Sequence, residues 1–292
     1  MKNLISTIVL TYNEEKHIER CIKNAQKYAT EIFVVDSFST DQTRQIAERL
    51  GAKVYQHEFI NYAAQFQWAL DNLPIQSEWV WRQDADEYLS DELIEEIKRK
   101  LECLPDDVNG FTAPCHRIFL GKYIKHGIVP LILLRLFKYK YGSIEQKFMD
   151  EHIQLSEGRV EELKSPFYDD NLNGLTWWTN KHNGYSDREA IDLLLTEYGL
   201  FDDNPATIGE HSAAVRRKKI KYTKLPLFWR AFAFFFYRYF FRLGFLDGKE
   251  GFLWHFLQGF WYRTLADAKV FEVKKRFNWD NEKIKEYLKT FT

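Results

Sequence analysis

Over the first hundred residues, short apolar runs alternate with stretches in which apolar residues recur every three or four places. Leu4 to Leu10 is rich in β-branched side chains and reads as a buried strand. Residues 15–29 then place Ile18, Cys21, Ile22 and Ala25 on one helical face. Ile32 to Val35 predicts a second strand ending at Asp36. Ser39 or Thr40 is expected to cap a helix from about Asp41 to Leu50, and Gly51 to stop it. Lys53 to Tyr55 reads as a third strand, residues 61–72 as a helix, and Glu78 to Arg82 as a fourth strand running into Gln83-Asp84-Ala85-Asp86. Ser90 opens a helix with Leu93, Ile94, Ile97 and Leu101 on one face.

This β-α-β-α order predicts an α/β fold, a mostly parallel sheet with helices on both faces. In such sheets ligands bind outside the carboxyl ends of the strands. The polar clusters at 11–15, 36–41 and 84–87 each follow a strand, so all three are expected on one rim. From about 109 to 170 the pattern changes to strand-like runs, Phe111 to Phe119 and Leu131 to Tyr139, separated by glycine turns. Ser186-Asp187-Arg188-Glu189 has the form of a capping box opening a helix to about Tyr198. Residues 216–224 carry six bases in nine positions, and an aromatic segment follows. These shifts predict a catalytic domain over 1–210, with halves at about 1–108 and 109–210. Residues 211–292 are expected to form a helical, basic and aromatic appendage.

Lys+Arg number 41 against 42 Asp+Glu, a net charge of -1, which argues against a globally basic nucleic-acid binder. Cys21, Cys103 and Cys115 lack the spacing of a zinc site or a disulfide framework and read as reduced thiols. Met1 to Leu10 lacks the apolar centre of a signal peptide, and no window has the ~18 uncharged apolar residues of a spanning helix. A cytoplasmic protein is therefore expected. Aromatic residues are distributed unevenly: 17 of the 49 lie in the 38 positions 225–262.

Asp84-Ala85-Asp86 puts two carboxylates one residue apart at a strand end, where they can share a hard divalent cation. Alone, the same residues also suit a turn and a helix start, with Asp86 or Ser90 as cap. Asp36 can accept hydrogen bonds from a nucleobase N–H or from ribose hydroxyls, and the Ser39 to Asp41 stretch also has a capping role. Thr11-Tyr12-Asn13-Glu14-Glu15 adds a third polar cluster. No Gly-x-Gly-x-x-Gly follows the first strand, which disfavours a dehydrogenase.

Thr11 to Glu15, Val35-Asp36-Ser37 to Thr43, and Asp84-Ala85-Asp86-Glu87, in that order and spacing, resemble family 2 glycosyltransferases of the GT-A fold. The resemblance covers roughly residues 3–170. Arg135-Leu136-Phe137, Asp150-Glu151-His152 and Gly244 to Gly248 are similar to a bacterial branch containing lipopolysaccharide-core glucosyltransferases. The resemblance implies a nucleotide-sugar donor, a UDP-sugar, with Mg²⁺ or Mn²⁺ as cofactor and inversion at the anomeric carbon. By matching motif, Thr11, Asn13 and Glu14 would line the nucleotide pocket and Asp36 would hold the base. Asp84 would approach ribose or metal, and Asp86 would be the main metal ligand. Phe38 departs from the family, which usually has Gly there, and Gln65-Phe66-Gln67 stands where a basic residue followed by Asn is commoner.

Inverting transfer needs a general base. Glu151 or Asp150 is expected in that role, with His152 completing the metal shell or serving as an ordinary histidine. Arg135 is a charge inside an apolar strand and needs a partner, either a site acid or a donor phosphate, with a structural salt bridge as the competing reading. Trp178, beside Trp177, is a candidate sugar-binding wall, with core packing as the alternative. In the tail, Arg230, Arg238 and Arg242 fall within one ~120° helical sector opposite a wide apolar face, which suits a helix in a membrane interface. A helical hairpin docked on the protein or on a second subunit is the competing reading. Together these features predict a glycosyltransferase acting on a lipid-linked or cell-envelope glycan, peripheral on the inner face of the cell membrane and bound to anionic lipid. The alternatives are a nucleotidyltransferase or a membrane-docked sugar-binding scaffold with an inactive site.

Overall fold

The computed structural model describes residues 4–128, 131–145, 152–200 and 222–291. They form two compact units, Met1–Tyr123 with Val129–Leu172 and Ile124–Ile128 with Asn173–Thr292. Apart from Ile124–Ile128, the division runs between Leu172 and Asn173; the boundary expected near 210 lies outside the described residues. The helix following Asn173 packs its apolar face on the C-terminal helices.

In the first unit, strands β1 (Ile5–Thr11), β2 (Glu31–Asp36), β3 (Lys53–Gln56) and β4 (Trp79–Asp84) run parallel in the order β3-β2-β1-β4. Helices α1 (Ile18–Ala25), α2 (Thr43–Arg49) and α3 (Tyr62–Asn72) connect them. Successive strand residues point to opposite faces, and the packing follows that alternation. Ile8, Phe33, Val35 and Val80 pack with Phe66 and Ala69 of α3. Val9 and Val34 pack on the other face with Ile18, Cys21 and Ile22 of α1 and Ala47 of α2. The expected helices on both faces are therefore present. Burying each such side chain contributes about 1.5–3 kcal/mol.

Beyond β4 the sheet becomes mixed. It continues as β8 (Leu131–Lys138), β6 (Val108–Phe119), β12 (Phe167–Asp170) and β5 (Glu87–Leu89), with β7 (Lys122–Tyr123) and β11 (Arg159–Glu162) also paired to β6, while β9 (Gly142–Ile144) and β10 (Ile153–Leu155) form a separate pair. Strand β8 is antiparallel to both β4 and β6, while β12 runs parallel to β6. Trp79, Trp81, Phe111, Leu136 and Phe167 form a third core with helix α4 (Asp91–Glu102). Ser90 caps α4, accepting a hydrogen bond from Leu93 N at 3.0 Å.

The second unit is helical. Helix α5 (Leu175–Tyr198), helix α8 (Tyr262–Arg276) and helix α9 (Asn281–Leu288) share a core of Leu193, Leu194, Val270, Ile284 and Leu288. Between α5 and α8 lie α6 (Trp229–Phe236) and α7 (Gly248–Trp254), which widen into π turns over Tyr237–Phe241 and His255–Trp261. Ser186 opens no helix. It is buried inside α5 and donates to the Asn183 carbonyl at 2.6 Å, because the chain around it is already helical.

The arginine stripe of the tail is also different from expectation. Arg230 is 3% exposed and donates through Nε to Asp267 Oδ1 at 2.8 Å. Arg238 is buried too, donating to the Gly127 carbonyl and to Gln258 Oε1, each at 2.7 Å. Arg242 alone of the three is exposed. Arg230 and Arg238 do share a sector, but carboxylate, amide and carbonyl partners draw that sector inward. Arg242 falls beyond the widened turn, next to Leu243 at φ +59°.

Candidate active site

Strand register brings the three polar clusters to one rim. Thr11 stands opposite Asp36, and Leu10 stands opposite Asp84, at the carboxyl ends of β2, β1 and β4. The chain leaves β1 toward β2 on one side and returns to β4 on the other. This is the topological position where open α/β sheets bind ligands.

The loops after β1 and β2 are tied together. Asn13 N donates to Ser39 Oγ at 2.8 Å, and Thr40 N donates to Asn13 Oδ1 at 2.8 Å. Glu14 N donates to Thr43 Oγ1 at 2.7 Å, and Glu15 N to Asp41 Oδ2 at 3.1 Å. Ser39 and Thr40 are thus occupied across the loops and do not cap α2, whose first turn is held by Asp41. Asn13 and Phe38 both sit at positive φ, +56° and +59°. Asparagine tolerates that region, whereas phenylalanine is strained there; this is the position where the family usually has Gly.

Asp36 is fully buried. Its carboxylate accepts from Ser39 N and Oγ, from Thr11 Oγ1 at 3.2 Å and from Gln56 Nε2 at 3.4 Å. Four donors occupy the lone pairs of a carboxylate. Asp36 thus fastens the loop after β2 to β1 and β3 at the place expected for the nucleobase. Gln65 is buried and donates to Ser37 Oγ at 3.1 Å, securing the same loop from α3.

At the end of β4 the acids have distinct environments. Asp84 N donates to Glu87 Oε2 at 3.0 Å, closing the turn through Ala85 and Asp86. Arg135, on β8, is buried under this turn with Nη2 2.5 Å from Glu87 Oε1 and 3.5 Å from Asp84 Oδ2. Its partners are the site acids, so Arg135 positions them from below. Asp86 accepts from Asn171 Nδ2 at 2.9 Å. Burial pushes the Asp86 carboxyl up to about 6, the Asp169 and Asp84 carboxylates add to this, and the Asn171 hydrogen bond opposes it.

A fourth polar cluster joins this site, Asp169-Asp170-Asn171-Leu172 at the end of β12. Arg117 Nε donates to Asp169 at 3.0 Å, and Arg20 of α1 pairs with Asp170 while reaching the Asp86 carbonyl at 3.3 Å. Leu172 N donates to Nε2 of the buried His17 at 2.8 Å, so the ring proton is on Nδ1, which faces Glu14 Oε2 at 2.6 Å. None of Arg20, His17, Arg117 or 169–172 was recognisable from spacing. The one available signal was a further acidic pair at a strand end, inside a region without clear periodicity.

The donor set is all hard oxygen. Glu14, Asp84, Asp86, Glu87, Asp169 and Asp170 outnumber Arg20, Arg117 and Arg135, which leaves an excess of negative charge. An Asp86 carboxyl raised by burial and then by its acidic neighbours is stabilised as an anion by a cation, so these residues suit Mg²⁺ or Mn²⁺. They do so as a partial shell. Among the described residues no group of three or more His, Cys, Asp or Glu is arranged around a common metal position. His152 is correspondingly not gathered with Asp84 and Asp86; it is half-exposed, 3.8 Å from Glu145. Asp150 and Glu151 lie outside the described residues. Trp178 belongs to the second unit, where it is buried and stacks on His182 at 3.5 Å, so the packing alternative describes it.

Residues 6–152 match the family described as Glycosyl transferase family 2. An uncharacterized glycosyltransferase of Rickettsia typhi is 30% identical over 200 residues, 65% of this chain and 68% of that protein. The lipopolysaccharide core biosynthesis glycosyltransferase LpsC of Rhizobium meliloti is 29% identical over 122 residues, 40% of this chain and 44% of that protein. Among solved structures, S. aureus TarS 1–349 in complex with UDP-GlcNAc aligns with 95% of this chain and 92% of that one at 16% identity and a TM-score of 0.46, too loose a likeness to add to the sequence match. The family match takes in about half of the chain, from β1 through the strand-end acids to His152, and on it the protein is a glycosyltransferase that belongs to glycosyl transferase family 2.

Proposed function

We propose that the protein is an inverting, metal-dependent glycosyltransferase that moves a sugar from a nucleotide-sugar, a UDP-sugar, to a hydroxyl of a lipid-linked or cell-envelope glycan. The observation that carries the reading is the pair Asp84 and Asp86 at the carboxyl end of β4, within an excess of carboxylates beside the loops after β1 and β2. A diphosphate is repelled by such a site unless a cation lies between them. Asp84 and Asp86 would hold Mg²⁺ or Mn²⁺, which when bound supplies positive charge against the leaving diphosphate.

In this reading the loops 12–15 and 37–41, fastened by Asn13, Ser39 and Thr40, form the floor for the nucleoside. Arg135 and Asn171 hold Glu87 and Asp86 in place. Inversion requires the acceptor oxygen to approach the anomeric carbon from the side opposite the diphosphate. Glu151 or Asp150 would take the acceptor's proton as the new bond forms. The likeness to LpsC supports a cell-envelope glycan as acceptor class.

Asp86→Asn tests the assignment. Sugar transfer is expected to fall by about a hundredfold or more, the scale of losing one stabilising group at a developing charge. The thermal midpoint should hold or rise, because the neutral amide is relieved of repulsion from Asp169 and Asp84. Near-normal turnover at limiting metal would refute the role.

A further inference from the structure

The middle of the helical unit is inside out. In a helix packed against a water-soluble core, rings turn inward and charges outward. Here Arg230 and Arg238 are buried on polar partners, while Trp229 is 71% and Phe241 70% exposed. Phe228, Phe232, Phe236, Tyr237, Phe240 and Phe252 are exposed beside them. The rings touch in an unbroken series. Trp229 meets Phe232, Phe232 meets Phe236 and Phe260, Phe236 meets Phe240, and Phe240 meets Tyr239, which reaches Phe252. The π turn at Tyr237–Phe241 advances the helix face more slowly, which leaves both Phe240 and Phe241 outside. A contiguous apolar face of this kind marks a docking surface.

Charge selects the occupant. Over residues 222–262 the exposed charged side chains are Lys224, Arg242 and Lys249. The acids of that stretch are Asp247, buried against His126, and the half-buried Glu250. A second copy seated on this face through a twofold axis would set these bases against their own like, with no exposed carboxylate from the stretch between them. An anionic headgroup layer meets the bases and admits the rings together. In the sequence the basic run 216–224 leads directly into this face. No helix among the described residues is long and apolar enough to cross a membrane.

We propose that the face built from α6, its π turn and α7 is a lipid-binding surface. It seats the protein peripherally on an anionic leaflet, the inner face of the cell membrane, with the rings at the headgroup–acyl boundary. Arg230 and Arg238 serve as internal struts. Arg230 and the Phe228 N–H both bind Asp267, and Arg238 ties the π turn to Gly127 and Gln258, so the apolar face is held outward before lipid is met.

The test is flotation of the full chain with vesicles of phosphatidylcholine or of phosphatidylglycerol, at low and high salt. Binding to phosphatidylglycerol is expected, weakened but not abolished by salt, because ring insertion is not screened. Trp229→Ser with Phe241→Ser removes the two most exposed rings and should weaken partitioning by about tenfold or more, with an unchanged circular-dichroism melt. The proposal is overturned if the wild-type chain floats with neither vesicle. It is equally overturned if the double variant floats as well as wild type, or if sedimentation velocity shows a stable dimer that the same substitutions dissociate. The assay contains no sugar donor, so its failure would leave the transferase reading untouched.

Discussion

Replacing Arg135 with methionine isolates the contact beneath the site. The guanidinium lies 2.5 Å from Glu87 Oε1, and both side chains are almost wholly buried. At an effective dielectric of ~20 the attraction at that distance is about 6–7 kcal/mol, much of which offsets the cost of burying both ions. Methionine preserves the apolar stem but leaves the Glu87 carboxylate buried without its counter-charge, a change that typically costs about 3–5 kcal/mol. With a urea slope of about 2 kcal/mol/M, the unfolding midpoint of the first unit should fall by about 1.5–2.5 M. Adding Glu87→Gln keeps an acceptor for Asp84 N and removes the stranded charge, so the double variant should recover more than half of the loss. Urea unfolding of wild type, both single variants and the double variant, followed by circular dichroism, completes the cycle. A single-variant midpoint within about 0.5 M of wild type would refute the buried pair as a main support of the site. A double variant no more stable than Arg135→Met would show that the cost lies in packing instead.

Two further outcomes follow from local geometry. Phe38→Gly removes left-handed strain of about 1–2 kcal/mol against roughly 0.5–1 kcal/mol of added unfolded-state entropy, so the thermal midpoint should hold or rise. A fall of more than about 1 kcal/mol would mean that the half-exposed ring is held by packing. For His255, burial pushes the imidazole down to about 4 from 6.5, and the Arg238 guanidinium adds to this. The folded ring is neutral, so the unfolded chain binds the extra proton. Its stabilising contribution is complete above pH 6.5, declines as the pH falls from there to about 4, and is level below, at most about 3 kcal/mol in all. The difference between wild-type and His255→Gln melts across that range should show this slope, and a flat difference would contradict it.

The N-terminal sheet could be read from sequence because its rules are local. A strand covered on both faces must be continuously apolar, as Ile8, Val9 and Leu10 are, and a helix on its surface needs a single apolar face, as Ile18, Cys21 and Ile22 provide. The convergence of Thr11, Asp36 and Asp84 on one rim follows from parallel strands that all end at the same edge. What only the tertiary structure decided rests on partners distant in the chain. Arg20 meets Asp170 across 150 positions, His17 meets Leu172 across 155, and no spacing rule links them. The partners that hold Asp36, Thr11 and Gln56 on neighbouring strands and Ser39 in the following loop, are likewise a matter of tertiary contact. The tail shows the limit most directly. A helical wheel separates the arginines from the rings, but its two faces are equivalent until something else in the fold chooses between them. Asp267 accepts from Arg230 37 residues away and turns that face inward, which leaves the aromatic face outside.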